Sequence, residues 1–502
     1  MLSTLKSVEM PEHNRKACLP RTRQDVIKAI TDWIADESSD QKSVLWLHGL
    51  AGSGKSTIST TIAWMMQDLH RLGAFFFFDR DIPERNAATL IRTLAHQLAQ
   101  FDGHIGEIIS KIVESNPRIA DRPLDFQWAN LLSAEALHSV EWSGGPILVV
   151  IDALDECENE TGRKTLMQTL SNRLTDLPPF IRVVVVSREE PDIHRVLGFH
   201  STVYQYPLSI DSTTNRADIS EFIRWNLEQI RTKNKYLSPD WPGDDKTSAL
   251  TVNAGGLFVW ASTACLYIDS YDPVQQLEEL ITQQSEINSS EPFAQLDRLY
   301  KTGLQSASLW EHPSFRSDCC NILGAILCAR IPLSCSMIDS LLALPPSRPC
   351  LQAISRLGCV LRISETEGIR ILHPSFHDYL SKRCSAEHWS IDVDLHNEKL
   401  ALHCIELLDN TLCENICGLT LPHPVQNETL PDALSYACRF WAEHIRLISH
   451  AATDHIVDRV YSFLDRHLLH WMEALAVLKS HNVTIRSLQI LLEWLCVRHP
   501  TS

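Results

Sequence analysis

Short unbroken apolar runs alternate with amphipathic stretches from residue 21 to about residue 210. The runs are Ser43 to Leu47 (SVLWL), Ala74 to Phe78 (AFFFF), Pro146 to Ile151 (PILVVI) and Ile181 to Val186 (IRVVVV), and Val203 to Leu208 reads as a fifth strand after them. Each of these four runs is too short for a helix and too continuous for a half-exposed strand, so each predicts a strand buried on both faces. Between them, apolar positions recur at helical spacing. Val26, Ile27, Ile30, Trp33 and Ile34 mark a helix over Arg21 to Trp33, and Leu90, Ile91, Leu94 and Leu98 mark one over Asn86 to Gln100. Ser56 to Leu69 and Phe126 to Val140 read as two more. Buried strands alternating with helices predict a parallel α/β sheet covered on both sides.

After about Asn215 the pattern changes. The β-branched runs stop, and Ile219, Phe222, Ile223, Leu227 and Ile230 form one helical stripe, with others over Leu257 to Leu266 and Leu277 to Ile287. Between Cys319 and Leu380 helices give way to two short strands, Gly358-Cys-Val-Leu-Arg-Ile and Gly368-Ile-Arg-Ile-Leu-His, which flank a Glu/Thr turn and predict a hairpin. The remainder, to Ser502, reads as helix. Residues 1–17 are polar and read as loose. The expected fold class is therefore α/β, then mostly α. The segments are a tail at 1–20, the α/β domain at 21–210, a helical domain at 211–310, a mixed domain at 311–385 and a helical region at 386–502. No period marks a repeat array.

Composition narrows the partners. The formal net charge is -17, from 62 acidic and 45 basic side chains, which argues against a broad basic footprint for nucleic acid or an anionic membrane. No run of 18 apolar residues exists, so no membrane span is expected. The 15 cysteines are scattered without zinc-ligand spacing and read as buried thiols in a reducing compartment, the cytoplasm.

The chemistry begins at Gly49-Leu-Ala-Gly52-Ser53-Gly54-Lys55-Ser56, a full match to G-x-x-x-x-G-K-[ST] between an apolar strand and a helix. Glycines let such a loop curl so that backbone N–H groups face phosphate oxygens, and the helix adds its positive end. Lys55 would reach the β- and γ-phosphates, and Ser56 would place its hydroxyl on Mg²⁺. A glycine-rich turn that binds nothing would carry the same letters. Next, Ile147-Leu-Val-Val-Ile-Asp152-Ala-Leu-Asp155-Glu156 is a strand ending in acid. Asp152 is the expected magnesium residue. Glu156, and second Asp155, are candidates to orient the water that attacks the γ-phosphate. A strand-terminating acidic turn is the alternative. Finally, Val183-Val-Val-Val-Ser187-Arg188 ends a strand in a guanidinium that could sense the γ-phosphate, or could simply lie at the surface. One apolar strand, Ala74–Phe78, lies between the two main motifs. That suits the branch of P-loop ATPases with an added central strand rather than small nucleotide kinases.

This set resembles the NACHT branch of the STAND signalling ATPases, especially the NOD-like receptors of mushroom-type fungi. The matching residues are Gly49–Thr57 (GLAGSGKST), Val149–Cys157 (VVIDALDEC) and Val186–Pro191 (VSREEP). Further matches are Cys18–Arg23 (CLPRTR), Ala254–Ala261 (AGGLFVWA), Leu372–Leu380 (LHPSFHDYL) and Leu434–His444 (LSYACRFWAEH). The resemblance implies a switch: ADP holds a closed form, and exchange for ATP opens the chain and lets it form homo-oligomers with protein partners. It adds Thr57 to the nucleotide site and makes 311–385 a winged-helix domain, whose His373 would contact the β-phosphate of ADP. A core or capping histidine is the alternative for His373. Members usually carry an effector domain before the ATPase and WD40, ankyrin or TPR repeats after it. Neither pattern is present here, which implies modules on another chain or a truncated sequence. Arg21 stands where the family usually has glycine.

Three functions fit the motifs. The first is a signalling switch with slow ATP hydrolysis, the second a nucleotide-stabilised scaffold that never hydrolyses, and the third a P-loop kinase. The kinase would need an Arg-rich lid, and only Arg195 follows Arg188 closely.

Overall fold

The computed structural model describes residues 2–10, 15–36, 38, 42–140, 142–157, 160–284, 293–306, 310–364, 367–416, 430–448 and 454–498. Contacts divide the chain into two units, residues 1–296 and 297–502.

The first unit is built on five parallel strands: β1 (Val44–His48), β2 (Leu72–Phe77), β3 (Ile147–Asp152), β4 (Ile181–Ser187) and β5 (Val203–Pro207). Their order is β2-β3-β4-β1-β5. Strand β4 thus lies between β1, which feeds the P-loop, and β3, which ends in Asp152. This is the added central strand that the spacing of the motifs suggested. Side chains alternate between the two faces of a strand. Accordingly Val44, Trp46, Val149, Ile151, Val183 and Val185 enter one apolar core, while Leu45, Leu47, Leu148, Val150, Val184 and Val186 enter the other. Two cores are what unbroken apolar strands require.

Among the described residues, twelve α-helices begin in this unit. They are α1 (Gln24–Ala35), α2 (Lys55–Asp68), α3 (Ala87–Phe101), α4 (Gly103–Ser115), α5 (Leu124–Leu131), α6 (Glu160–Arg173), α7 (Pro191–Leu197), α8 (Thr213–Lys233), α9 (Asp244–Asn253), α10 (Phe258–Ile268), α11 (Pro273–Gln284) and α12 (Ala294–Ser306). Asn86 caps α3, accepting from the Ala88 N–H while the Thr89 hydroxyl accepts from the Asn86 N–H. The helix expected over Phe126 to Val140 stops at Leu131. There the Ser133 hydroxyl bonds back to the Ala129 carbonyl and accepts from the Ala136 N–H, which offers the backbone a turn instead of a further helical rung.

The polar N-terminal stretch is not loose where it is described. Leu2–Leu5 form a short 3₁₀ turn, and Leu5 is fully buried in the core that faces α3. Lys6 pairs with Asp121, and the Val8 N–H donates to the Thr93 hydroxyl. One buried leucine supplies about 1.5–3 kcal/mol, and charge counting along the sequence hides it.

Among the described residues the second unit is helical apart from one hairpin, so the layout is α/β followed by α. Helices α13 (Pro313–Cys328), α14 (Cys335–Leu341) and α15 (Cys350–Ile354) precede the antiparallel strands β6 (Leu361–Ser364) and β7 (Gly368–Ile371). Then come α16 (Pro374–Asp378), α17 (Val393–Thr411), α18 (Asp432–Arg446), α19 (Asp454–Val477) and α20 (His481–Arg498). The Glu/Thr turn at 365–366, the end of the stripe at 285–287 and Cys417 lie outside the described residues. The described cysteines are free thiols, most of them buried. Among the described residues no helix is long and apolar enough to cross a membrane.

Candidate functional site

The site lies at the carboxyl ends of β1, β3 and β4, where an open α/β sheet offers its loops to ligands. The loop after β1 is bent at Gly52 (φ 79°) and Gly54 (φ 93°), a left-handed region that glycine enters without steric cost. Gly54 caps α2, whose first residue is Lys55. A Cβ on Gly49 would stand 3.0 Å from the Leu208 carbonyl, so the chain just after β5 closes on the start of the loop. Ser53 is fully buried, and its hydroxyl has no hydrogen-bond partner among the described residues.

Lys55 is 9% exposed, and its Nζ donates to the carbonyls of Gly49 and Leu50, both at 2.9 Å. Burial pulls the ammonium down to about 8, against the opposing pull of the Asp155 carboxylate. The Ser56 side chain is exposed and its hydroxyl donates to Asp152 Oδ1 at 3.3 Å. The Thr57 hydroxyl is spent within the helix turn, on the Gly54 carbonyl at 2.7 Å.

Asp152 is wholly buried at the last position of β3. Its Oδ1 also accepts from the Ala153 N–H at 2.8 Å, and its Oδ2 accepts from the Ser59 hydroxyl at 2.9 Å. Ala153 has φ 55°, a strained conformation for alanine that turns the chain sharply after the strand. Asp155 and Glu156 follow on a 3₁₀ turn. Both oxygens of Asp155 are engaged by Arg188. Oδ1 accepts from its N–H at 3.0 Å, and Oδ2 pairs with Nε at 3.1 Å. Glu156 behaves differently: burial, reinforced by the neighbouring Asp155 charge, pushes its carboxyl up to about 8.

The structure therefore brings Gly49, Gly52, Ser53, Gly54, Lys55, Ser56, Thr57, Asp152, Asp155, Glu156 and Arg188 to one end of the sheet. His373 belongs to the second unit. It precedes α16 as its cap, with Nδ1 accepting from the Ser375 N–H at 3.1 Å and lying 2.7 Å from the Ser375 hydroxyl. The Tyr300 and Ser375 hydroxyls in turn lie 2.8 Å apart.

Three further arginines join the site: Arg15 and Arg163, which no motif marks, and Arg23, the last residue of the Cys18–Arg23 lead-in. Arg15, from the N-terminal stretch, forms an ion pair with Asp152 Oδ2 and lies over the Phe77 ring at 4.4 Å. Arg23 is 3% exposed, donates to the Ser53 carbonyl at 2.5 Å and stacks on Phe258 at 4.6 Å. Its own N–H donates to Asp218 on α8, and the Val259 N–H of α10 donates to the Gly52 carbonyl. Arg163 on α6 makes a two-point contact with Asp192, pairs with Glu190 and donates to the Asp155 carbonyl. No local pattern marks a lone arginine, and the partners are distant in sequence. For Arg23, the lead-in motif Cys18–Arg23 was the available signal.

Beside the loop, an open cleft of about 620 Å³ is lined by His48, Gly49, Ala51, Arg188, Glu189 and Asp211, among others. A hard divalent cation seeks oxygen donors, and the Ser56 hydroxyl next to the Asp152 carboxylate supplies two. The curled glycine loop, the unpaired Ser53 hydroxyl and the buried ammonium fit a phosphate group beside it.

The family described as nephrocystin 3, N-terminal, matches residues 22–188, the span from α1 to the Ser187-Arg188 end of β4. Among curated proteins nothing matches the chain. Among solved structures, similarity extends to a Signal Transduction ATPase with Numerous Domains (STAND) protein with a tetratricopeptide repeat sensor, from Pyrococcus horikoshii. Identity is 11% and the TM-score 0.45, over 98% of this chain and 60% of that one. The chain thus spans 60% of the length of that relative. Drosophila ORC bound to poly(dA/dT) DNA and Cdc6 aligns at 11% identity with TM-score 0.26, over 94% of this chain and 69% of that one. The same assembly on GC-rich DNA aligns at 13% identity with TM-score 0.26, over 94% and 70%.

Proposed function

We propose that this chain is a nucleotide-dependent switch of the STAND type, binding ATP or ADP with Mg²⁺ and hydrolysing ATP slowly. One observation carries the reading: the Ser56 hydroxyl at the P-loop meets the buried Asp152 carboxylate across an inserted central strand. Lys55, the glycine loop and the start of α2 would hold the phosphates, and Ser56 with Asp152 would hold the metal. The metal would neutralise phosphate charge. The match over residues 22–188 adds support, because it covers the whole constellation.

Within that reading Glu156 is the favoured base, because Arg188 already engages both Asp155 oxygens. A carboxyl pushed up to about 8 is mostly protonated at neutral pH and a poor proton acceptor, which fits slow turnover. The same observation favours the second reading, a scaffold that binds and never hydrolyses. The kinase reading has no Arg-rich lid to support it.

The finer identity, a NACHT-type NOD-like receptor of fungal origin in self/non-self signalling, rests on the motif resemblance. So do opening on nucleotide exchange, homo-oligomers, protein partners, cytoplasmic location and the lack of a nucleic-acid partner. The segment boundaries at 21–210, 211–310, 311–385 and 386–502 belong to it too. The order α13–α14–α15, hairpin, α16 supports a winged helix in 311–385. There, the His373 ring would turn from capping α16 to the β-phosphate of ADP.

The test is to purify the chain and identify any nucleotide that comes with it, then measure affinity by calorimetry. Lys55→Ala should abolish nucleotide affinity, and Glu156→Gln should keep ATP bound while slowing its hydrolysis. Unchanged affinity in Lys55→Ala would sink the nucleotide reading. Equal turnover in Glu156→Gln would remove that residue from the chemistry.

A further inference from the structure

Asp152 carries more donors than a metal-holding carboxylate needs. Oδ1 accepts from the Ala153 N–H and the Ser56 hydroxyl, and Oδ2 accepts from the Ser59 hydroxyl. Arg15 then adds a full positive charge on Oδ2 from 137 residues away. Its side chain is 15% exposed, against 0% for Asp152, so the pair is largely shielded from water and from salt. The guanidinium also lies over the faces of Phe77 at 4.4 Å and Phe75 at 5.3 Å, both on the strand next to β3. Arg15 is thus seated on β2 with its charge spent on the residue that the nucleotide reading gives to the metal.

We propose that Arg15 is an internal competitor of the magnesium ion at Asp152, so that the site distinguishes metal-free from metal-loaded nucleotide. The inference rests on the nucleotide reading above. Two cations facing one buried carboxylate repel each other, and Asp152 has no second charge to share between them. Metal-loaded nucleotide therefore binds at the expense of the Arg15 contact, while metal-free nucleotide leaves it in place. By linkage the effect is reciprocal: the metal complex releases the N-terminal stretch, and that stretch weakens the metal complex. The chain's own N-terminal residues then report whether the metal has entered.

The experiment compares ADP affinity in MgCl₂ and in EDTA for the full chain and for Arg15→Gln. The gain in affinity on adding Mg²⁺ should be about tenfold larger in Arg15→Gln, with affinity in EDTA unchanged. Arg15→Lys keeps the charge and should hold the gain near that of the unaltered protein, and thermal melts check that both variants fold. A second measurement needs no variant. Trypsin must take the Arg15 side chain into its own pocket, so cleavage at Arg15-Lys16, followed by mass spectrometry, should accelerate with Mg²⁺ and ADP together but not with ADP in EDTA. An equal or smaller gain in Arg15→Gln, or cleavage indifferent to the metal, overturns the proposal. Absence of ADP binding in both buffers overturns the nucleotide reading itself, and this inference with it.

Discussion

Arg21 is exposed and holds a left-handed backbone at φ 75°, a region where a Cβ crowds the chain. Glycine enters that region without steric cost. The strain is about 1–2 kcal/mol, and glycine gives back part of the relief through its freer unfolded chain. Arg21→Gly should therefore raise stability by about 0.5–1 kcal/mol in urea unfolding; a loss would show that the arginine side chain makes a contact worth more than the strain. The two acidic residues after Asp152 show the opposite limit of residue-level reading. Asp155 and Glu156 are adjacent and chemically alike, yet one is tied to Arg188 and the other is raised to about 8 by burial. Nothing in the letters separates them, because the difference is made by what surrounds each carboxyl.

At the scale of elements, the P-loop is held from outside the sheet. Arg23 bonds the Ser53 carbonyl and stacks on Phe258 of α10, and the Val259 N–H holds the Gly52 carbonyl. Burial depresses the affinity of the Arg23 guanidinium for its proton, with Asp218 pulling the other way, so its cost is borne by the contacts it makes. Arg23→Ala should leave the Ser53 carbonyl unpaired at a cost of about 2–3 kcal/mol, which is about 30–150-fold faster amide hydrogen exchange in the loop residues 50–55. Arg23→Lys should recover only part, since an ammonium cannot stack flat and bond at once. Exchange unchanged in Arg23→Ala would mean the loop is held by α2 alone. The elements themselves were legible: all five strands and α1 to α3 lie within a few residues of their expected positions, because unbroken and periodic apolar patterns are local signals. The helix expected to run to Val140 failed for an equally local reason, one serine hydroxyl that outcompetes the next helical rung.

At the scale of the whole molecule, the second unit has a buried polar network of its own. His444 in α18 is fully buried, with its ring 2.8 Å from the Tyr436 hydroxyl and 2.9 Å from Asn397 Oδ1. Tyr436 accepts in turn from the Arg330 N–H. Burial first, and the Arg330 charge second, pull the imidazole down to about 3. Its value in the unfolded chain is near 6.5, so the unfolded state takes up the proton first. The stability that the neutral ring provides is complete above pH 6.5 and falls as pH drops below it, by about 2 kcal/mol at pH 5. Denaturant unfolding at pH 7 and pH 5 should show that loss, and His444→Gln should remove about that much of the acid sensitivity. The same slope in the variant would assign it to other groups. The motif Leu434–His444 is therefore explained, as far as this network goes, by core packing.

Sequence alone determined the strands, the helices, the glycine loop with Lys55 and Ser56, and the acid at the end of β3. Each depends on neighbours a few residues apart, where spacing is itself geometry. Tertiary structure decided the rest. It brought Arg23 to Ser53 and Asp218, and set Arg15 on Asp152. It also split Asp155 from Glu156 and made His444 a neutral core residue. Those outcomes depend on burial and on charges brought together from distant parts of the chain. Both act through space, so a lone arginine or histidine carries no mark of them in its own stretch of sequence.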